Sequence, residues 1–117
     1  MNVQIFGSKK SPATRKAQRF FSERRIPIHF VDLNEKAASV GELKRFVQKF
    51  GVQALIDPES KRFRDLGLHV GYHSDERWLQ RLADEPLILK MPLVRYDNRL
   101  TIGDAEADWK EWFSGNR

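Results

Sequence analysis

The chain is 117 residues long, 40% hydrophobic, with eight Phe and three Trp, no cysteine and a net charge of +5. A chain of this length and apolar content folds as one packed domain without metal or disulfide staples, here expected to span residues 1–117. With no sulfhydryl anywhere, disulfides, thiolate metal sites and cysteine nucleophiles are all excluded, and thiol redox chemistry goes with them.

The first predicted element is a strand, Val3-Gln4-Ile5-Phe6, closed by Gly7. Ser11-Pro12 then supplies a helix start, with Ser as N-cap and Pro at the first helical position. Ala13, Ala17, Phe20 and Phe21 recur at helical spacing, with Lys16, Arg19 and Glu23 on other faces, until Pro27 stops the helix. Ile28-His29-Phe30-Val31 reads as a second strand, and the short strand–helix–strand connection predicts a right-handed parallel unit.

The middle of the chain is helical. Val40, Leu43, Phe46, Val47 and Phe50 form an apolar stripe that ends at Gly51. Asp57-Pro58-Glu59 reads as another helix start, and Ser74-Asp75-Glu76 opens a helix carrying Trp78, Leu79 and Leu82. Pro86-Leu87-Ile88-Leu89 and Pro92-Leu93-Val94 read as strand segments. Asp97-Asn98 is a turn leading to Leu100-Thr101-Ile102, which completes a hairpin. Asp104 is placed to cap a last helix carrying Trp109, Trp112 and Phe113.

Charge is unevenly spread. Residues 1–25 hold Lys9, Lys10, Arg15, Lys16, Arg19, Arg24 and Arg25 against Glu23 alone, which leaves the other 92 residues at −1. Such a segment suits anions or an acidic protein face, or forms a solvated helix surface. No aromatics interleave with these basic residues and no nucleic-acid motif is present, so nucleic acid is not the expected partner. His29, His69 and His73 show no metal spacing, and no metal site is expected. The N-terminus lacks a signal-peptide pattern and no apolar run approaches a membrane span, which makes the cytoplasm the expected location, with no membrane partner.

The stretch Phe6-Gly7-Ser8-Lys9-Lys10-Ser11-Pro12-Ala13-Thr14-Arg15 resembles the active-site turn of the arsenate reductase-like (ArsC/Spx) family of thioredoxin-fold proteins. That turn carries a reactive cysteine followed four residues later by an arginine. Phe30-Val31-Asp32-Leu33, Gly41-Glu42-Leu43-Lys44, Lys61-Arg62-Phe63-Arg64-Asp65-Leu66-Gly67-Leu68, Pro86 to Val94 and Ile102-Gly103 follow in the family's order, so the resemblance runs from Val3 to about Trp109.

The resemblance implies an α/β thioredoxin-like fold, a mixed four-stranded sheet with a helical insertion at about 41–84. It also implies a cis Pro92 facing the site. In the arsenate-reducing members a cysteine thiolate attacks an oxyanion held by arginines. Carried over, the cysteine position is Ser11 and the helix arginine is Arg15. The arginine before the proline is Met91, and a further arginine falls at Asp57.

The expected reading is therefore a family member that has lost thiol redox chemistry and is inactive as a reductase. Its site would be Lys9, Lys10, Ser11, Arg15 and Pro92, holding a small anion or a thiol ligand such as glutathione, with no bound cofactor. Ser11 can equally be only a helix cap, and Arg15 and the lysines only solvated. Two alternatives stay open: an arsenate reductase or glutathione-dependent oxidoreductase whose cysteine has been exchanged for serine, and an Spx-like transcription regulator binding RNA polymerase.

Overall fold

The computed structural model describes residues 2–114. Nine regular elements follow in chain order: β1 (Val3–Gly7), α1 (Pro12–Glu23), β2 (Ile28–Asp32), α2 (Val40–Phe50), α3 (Lys61–Asp65), α4 (Asp75–Asp84), β3 (Leu93–Tyr96), β4 (Arg99–Ile102) and α5 (Glu106–Trp112). They fall into two compact units, one made of the residues up to Val31 with those from Met91 onward, the other of Asp32–Lys90.

The first unit is built on the expected mixed four-stranded sheet, in the order β2-β1-β3-β4. β1 runs antiparallel to β3 with Gln4 opposite Arg95 and Phe6 opposite Leu93, and β3 runs antiparallel to β4 with Leu93 opposite Ile102. Strand alternation sends Val3, Ile5 and Val94 to one face. There they pack with Ala17, Phe20 and Phe21 of α1 and Trp109 of α5 into the unit's core. Trp109 is fully buried, its ring centroid 5.5 Å from those of both Phe20 and Phe21, and its indole N–H donates to Thr101 Oγ1 at 2.9 Å. The hydrogen bond removes the cost of burying the indole nitrogen in an apolar layer.

α1 ends at Glu23, earlier than Pro27 requires. Arg25 turns to φ 59°, its N–H donates to Ser22 O at 3.0 Å, and Ile26 N–H donates to Phe21 O at 3.0 Å. This pair of bonds is the Schellman arrangement, and Ile26 packs against the core that contains Phe21.

The second unit holds the helical segment. Ser39, Ser60 and Ser74 cap α2, α3 and α4, each accepting from the N–H three residues on, at 3.1–3.2 Å. Gly51, at φ 85°, ends α2 where expected. Leu43 and Phe46 of α2 are buried, as are Trp78 and Leu82 of α4, and Phe63 stacks on Trp78 at 6.1 Å.

Three sequence expectations need correction. Asp57 does not start a helix: its Oδ1 accepts from Glu59 N–H at 3.0 Å in a local turn, and the helix begins after Ser60. Pro86–Ile88 is a short 3-10 turn, not a strand; only Leu89 makes a β-bridge, to Ile56. Pro86 has no N–H for a ladder, and its fixed φ suits the first position of a helical turn. Finally, the residue at the N-cap of α5 is Ala105, not Asp104; Asp104 Oδ1 accepts from Glu106 N–H at 3.4 Å, while its other oxygen faces Lys16.

Candidate functional site

The β1–α1 turn is shaped by short-range contacts. Gly7 closes the strand against Thr14: a Cβ there would lie 2.4 Å from Thr14 Oγ1 and 2.7 Å from its Cγ2, so no other residue fits without displacing that side chain. Lys10 N–H donates to Ser8 Oγ at 3.2 Å and Ser11 N–H to Ser8 O at 2.9 Å, which folds Lys9 and Lys10 into a tight exposed corner.

Ser11 sits in extended conformation, φ −83° and ψ 119°, and its Oγ accepts from Thr14 N–H at 3.2 Å. With Pro12 at the first helical position, this is the cap expected from the sequence, and its hydroxyl is half-buried at the positive end of α1.

Arg15 leaves the first turn of α1 and reaches back, its Nη1 donating to Lys9 O at 2.7 Å. The guanidinium therefore lies over the turn rather than along the helix. Lys9, Lys10, Ser11 and Arg15 form one contiguous, cation-rich corner around the start of α1.

Pro92 follows Met91 through a cis peptide bond and is buried. Phe6 pairs with Leu93, so one further step of the antiparallel register sets Pro92 beside Gly7, at the end of the sheet from which the turn departs. Gly103 N–H donates to Pro92 O at 2.9 Å and holds the loop to β4. The fold thus gathers the turn and the cis-proline at one end of β1.

Sequence reasoning missed three members of this neighbourhood. Ser8 is buried and organises the turn through both its hydroxyl and its carbonyl. Thr14 is fully buried, though as a polar residue it was not placed on the core face, and its Oγ1 has no hydrogen-bond partner among the described residues. The third is Lys16, whose Nζ lies 2.7 Å from Asp104 and 3.0 Å from Glu106. Hydrogen bonds to these two carboxylates raise the Lys16 pKa above the usual lysine value, and the same ammonium holds both carboxyls below theirs. One of the seven cations of residues 1–25 is thereby neutralised locally. The signal available in the sequence was only the acidic start of the last helix.

Chemically, the corner offers a hydroxyl, a helix N-terminus and a cluster of cations. It suits an anion and lacks a redox-active atom. Among the described residues there is no group of His, Asp and Glu placed to hold a metal ion. Likewise, no helix among them is long and apolar enough to cross a membrane.

Known proteins resemble this chain over most of its length. The chain is 25% identical over 114 residues to the global transcriptional regulator Spx 2 of Oceanobacillus iheyensis, covering 96% of this chain and 84% of that one. It is 23% identical over 104 residues to an arsenate reductase of Neisseria meningitidis, covering 86% and 89%. The solved structure of an arsenate reductase from Vibrio cholerae superposes with a TM-score of 0.80 over 95% of this chain and 97% of that one, at 24% identity. The fold is the thioredoxin-like α/β fold that the resemblance implied. The profile of the ArsC family matches residues 6–112, from the strand that leads into the Ser11 turn to the last helix of the core, and the chain belongs to that family.

Proposed function

We propose that this protein is a cytoplasmic ArsC-family member without thiol redox chemistry, serving as a binding or regulatory module for a small anion or a glutathione-type ligand. One observation carries the reading: the position of the family's cysteine holds Ser11, whose hydroxyl caps α1, and the chain contains no cysteine that could replace it. A serine hydroxyl forms no disulfide, so the thiol–disulfide exchange that would regenerate a reductase has no atom to run on. Met91 before the cis-proline adds support, since an apolar thioether supplies no charge to an oxyanion. The ligand would meet Ser11 and Arg15, with Lys9 and Lys10 raising the local positive potential and Pro92 shaping the wall.

The test is a thermal-melt series with glutathione, phosphate, sulfate and arsenate, run beside a reductase assay. A ligand that binds only the folded state raises Tm by mass action. The expected result is a rise with at least one of the four and no arsenate reduction above a no-protein control. Turnover near the enzyme median of about 10 per second would overturn the reading.

A second reading has its own support. The Spx 2 relative carries the name of a transcriptional regulator and aligns with almost the whole chain. On α1, Arg19 is exposed, and Arg15 lies over the exposed turn of Lys9 and Lys10, so the start of the helix presents a surface of one charge sign. An acidic protein face would complement that surface. Under this reading the basic helix is a protein-contact surface, with RNA polymerase the partner implied by the family's regulatory branch. Pull-down of the polymerase by the native protein, lost on Arg15→Ala with Arg19→Ala, would support it.

A further inference from the structure

A second polar constellation lies at the opposite end of β1 from the Ser11 turn. The strand positions that alternate with the core residues face away from α1, and near the start of β1 three of them on neighbouring strands are polar: His29 on β2, Gln4 on β1 and Arg95 on β3. Gln4 and Arg95 are register partners. The Arg95 guanidinium donates to Gln4 Oε1 and, at 3.4 Å, to the main-chain carbonyl of Asp97.

With its oxygen turned to the guanidinium, Gln4 presents its amide nitrogen to His29 Nδ1 at 3.4 Å. An amide nitrogen only donates, so Nδ1 is the acceptor. The proton of the neutral imidazole then sits on Nε2, away from this relay. The three side chains, with Asn2 and Asp97, line a cavity of about 300 Å³.

We propose that this cavity binds a small zwitterion, a free α-amino acid. The carboxylate takes the side lined by Arg95 and His29, and the ammonium takes Asp97. Both charge signs line one small cavity. A plain anion would be repelled by Asp97 and a plain cation by Arg95, whereas a ligand carrying both charges answers both. The volume stands at the lower limit of small-molecule pockets, which favours a ligand with a short side chain. The proposal is one of binding alone. It stands apart from the Ser11 corner and does not depend on the function proposed there.

Proton–nitrogen correlation NMR of the full chain tests this, with alanine, acetate and methylammonium titrated separately. Alanine should give saturable shifts confined to the amides of Asn2, Gln4, His29, Arg95 and Asp97, with a Kd of about 1 mM, and each single-charge probe should bind about tenfold more weakly or less. Asp97→Asn and His29→Ala should each weaken alanine binding several-fold while leaving the remaining spectrum unchanged. Both positions are exposed, and Asn tolerates the positive φ of 56° at residue 97. The proposal is overturned by the absence of saturation at concentrations on the order of ten times that Kd. Shifts centred elsewhere, an acetate response equal to that of alanine, or variants that bind alanine unchanged would overturn it too.

Discussion

Replacing Ser11 by Cys converts the α1 cap into a probe of the local potential, and because the chain has no other cysteine every thiol signal would report this position. The sulfur would sit where Ser11 Oγ now accepts from Thr14 N–H, at the N-terminus of a twelve-residue helix. A helix end stabilises an adjacent anion by about 0.3–1 kcal/mol. The Arg15 guanidinium, drawn back over the turn by Lys9 O, and the exposed Lys9 and Lys10 add roughly 0.2–1 kcal/mol as solvent-screened charges. Lys16 adds little, since Asp104 and Glu106 already neutralise it. The sum, about 0.5–2 kcal/mol at 1.36 kcal/mol per unit, lowers the thiol from about 8.5 to between roughly 7 and 8. The pH dependence of thiolate absorbance gives the pKa directly, and iodoacetamide alkylation checks it. A mixed disulfide with glutathione should form as well. Arsenate reduction should stay weak, since Met91 stands where the resemblance implies an arginine. A measured pKa at or above about 8.5 would show that the corner is not electropositive, and the anion-site reading would fall, leaving Ser11 as a cap alone.

Three further outcomes are expected. Arg25→Gly should raise stability by about 1 kcal/mol, because glycine adopts the left-handed C′ position without the Cβ penalty; unchanged or lower stability in urea unfolding would contradict the cap assignment. Trp109→Ala should cost about 3–5 kcal/mol from loss of the buried indole and its bond to Thr101, while Lys110→Ala, exposed on the same helix, should stay within about 0.5 kcal/mol. The Lys16–Asp104–Glu106 cluster predicts a pH window. The carboxyls have lowered folded pKa values, so their contribution is present above the unfolded values of about 3.9 and 4.3 and disappears as pH falls through the folded ones. Lys16 has a raised pKa, so its contribution is intact below about 10.4 and disappears as pH rises through the folded value. The stability difference between the native chain and Lys16→Met should accordingly be largest near neutrality and shrink at both extremes and in high salt; a difference independent of pH and salt would refute the pairing.

The α1 cap was legible in the sequence because its determinants are adjacent: Ser11, Pro12 and the Thr14 amide lie within one turn, and local geometry leaves them little choice. The stripes of α1 and α2 were legible for the same reason, since helical period places their apolar residues on one face without reference to the remaining chain. The family order of motifs carried the sheet. Pro86–Leu89 misled because a short apolar run is compatible with either a strand or a buried turn, and the choice depends on whether a partner backbone is present; only Leu89 finds one, at Ile56. Lys16 meets Asp104 across 88 residues of sequence, and Gln4 meets Arg95 across 91 and His29 across 25. Those meetings arise from β-register and from helix packing on the sheet. Sequence therefore determined which groups exist and which faces are apolar, including the absence of any thiol. Tertiary structure alone decided which charges cancel, where Arg15 points and which polar side chains share a cavity, because Coulombic and hydrogen-bond energies depend on distance in space and not on separation along the chain.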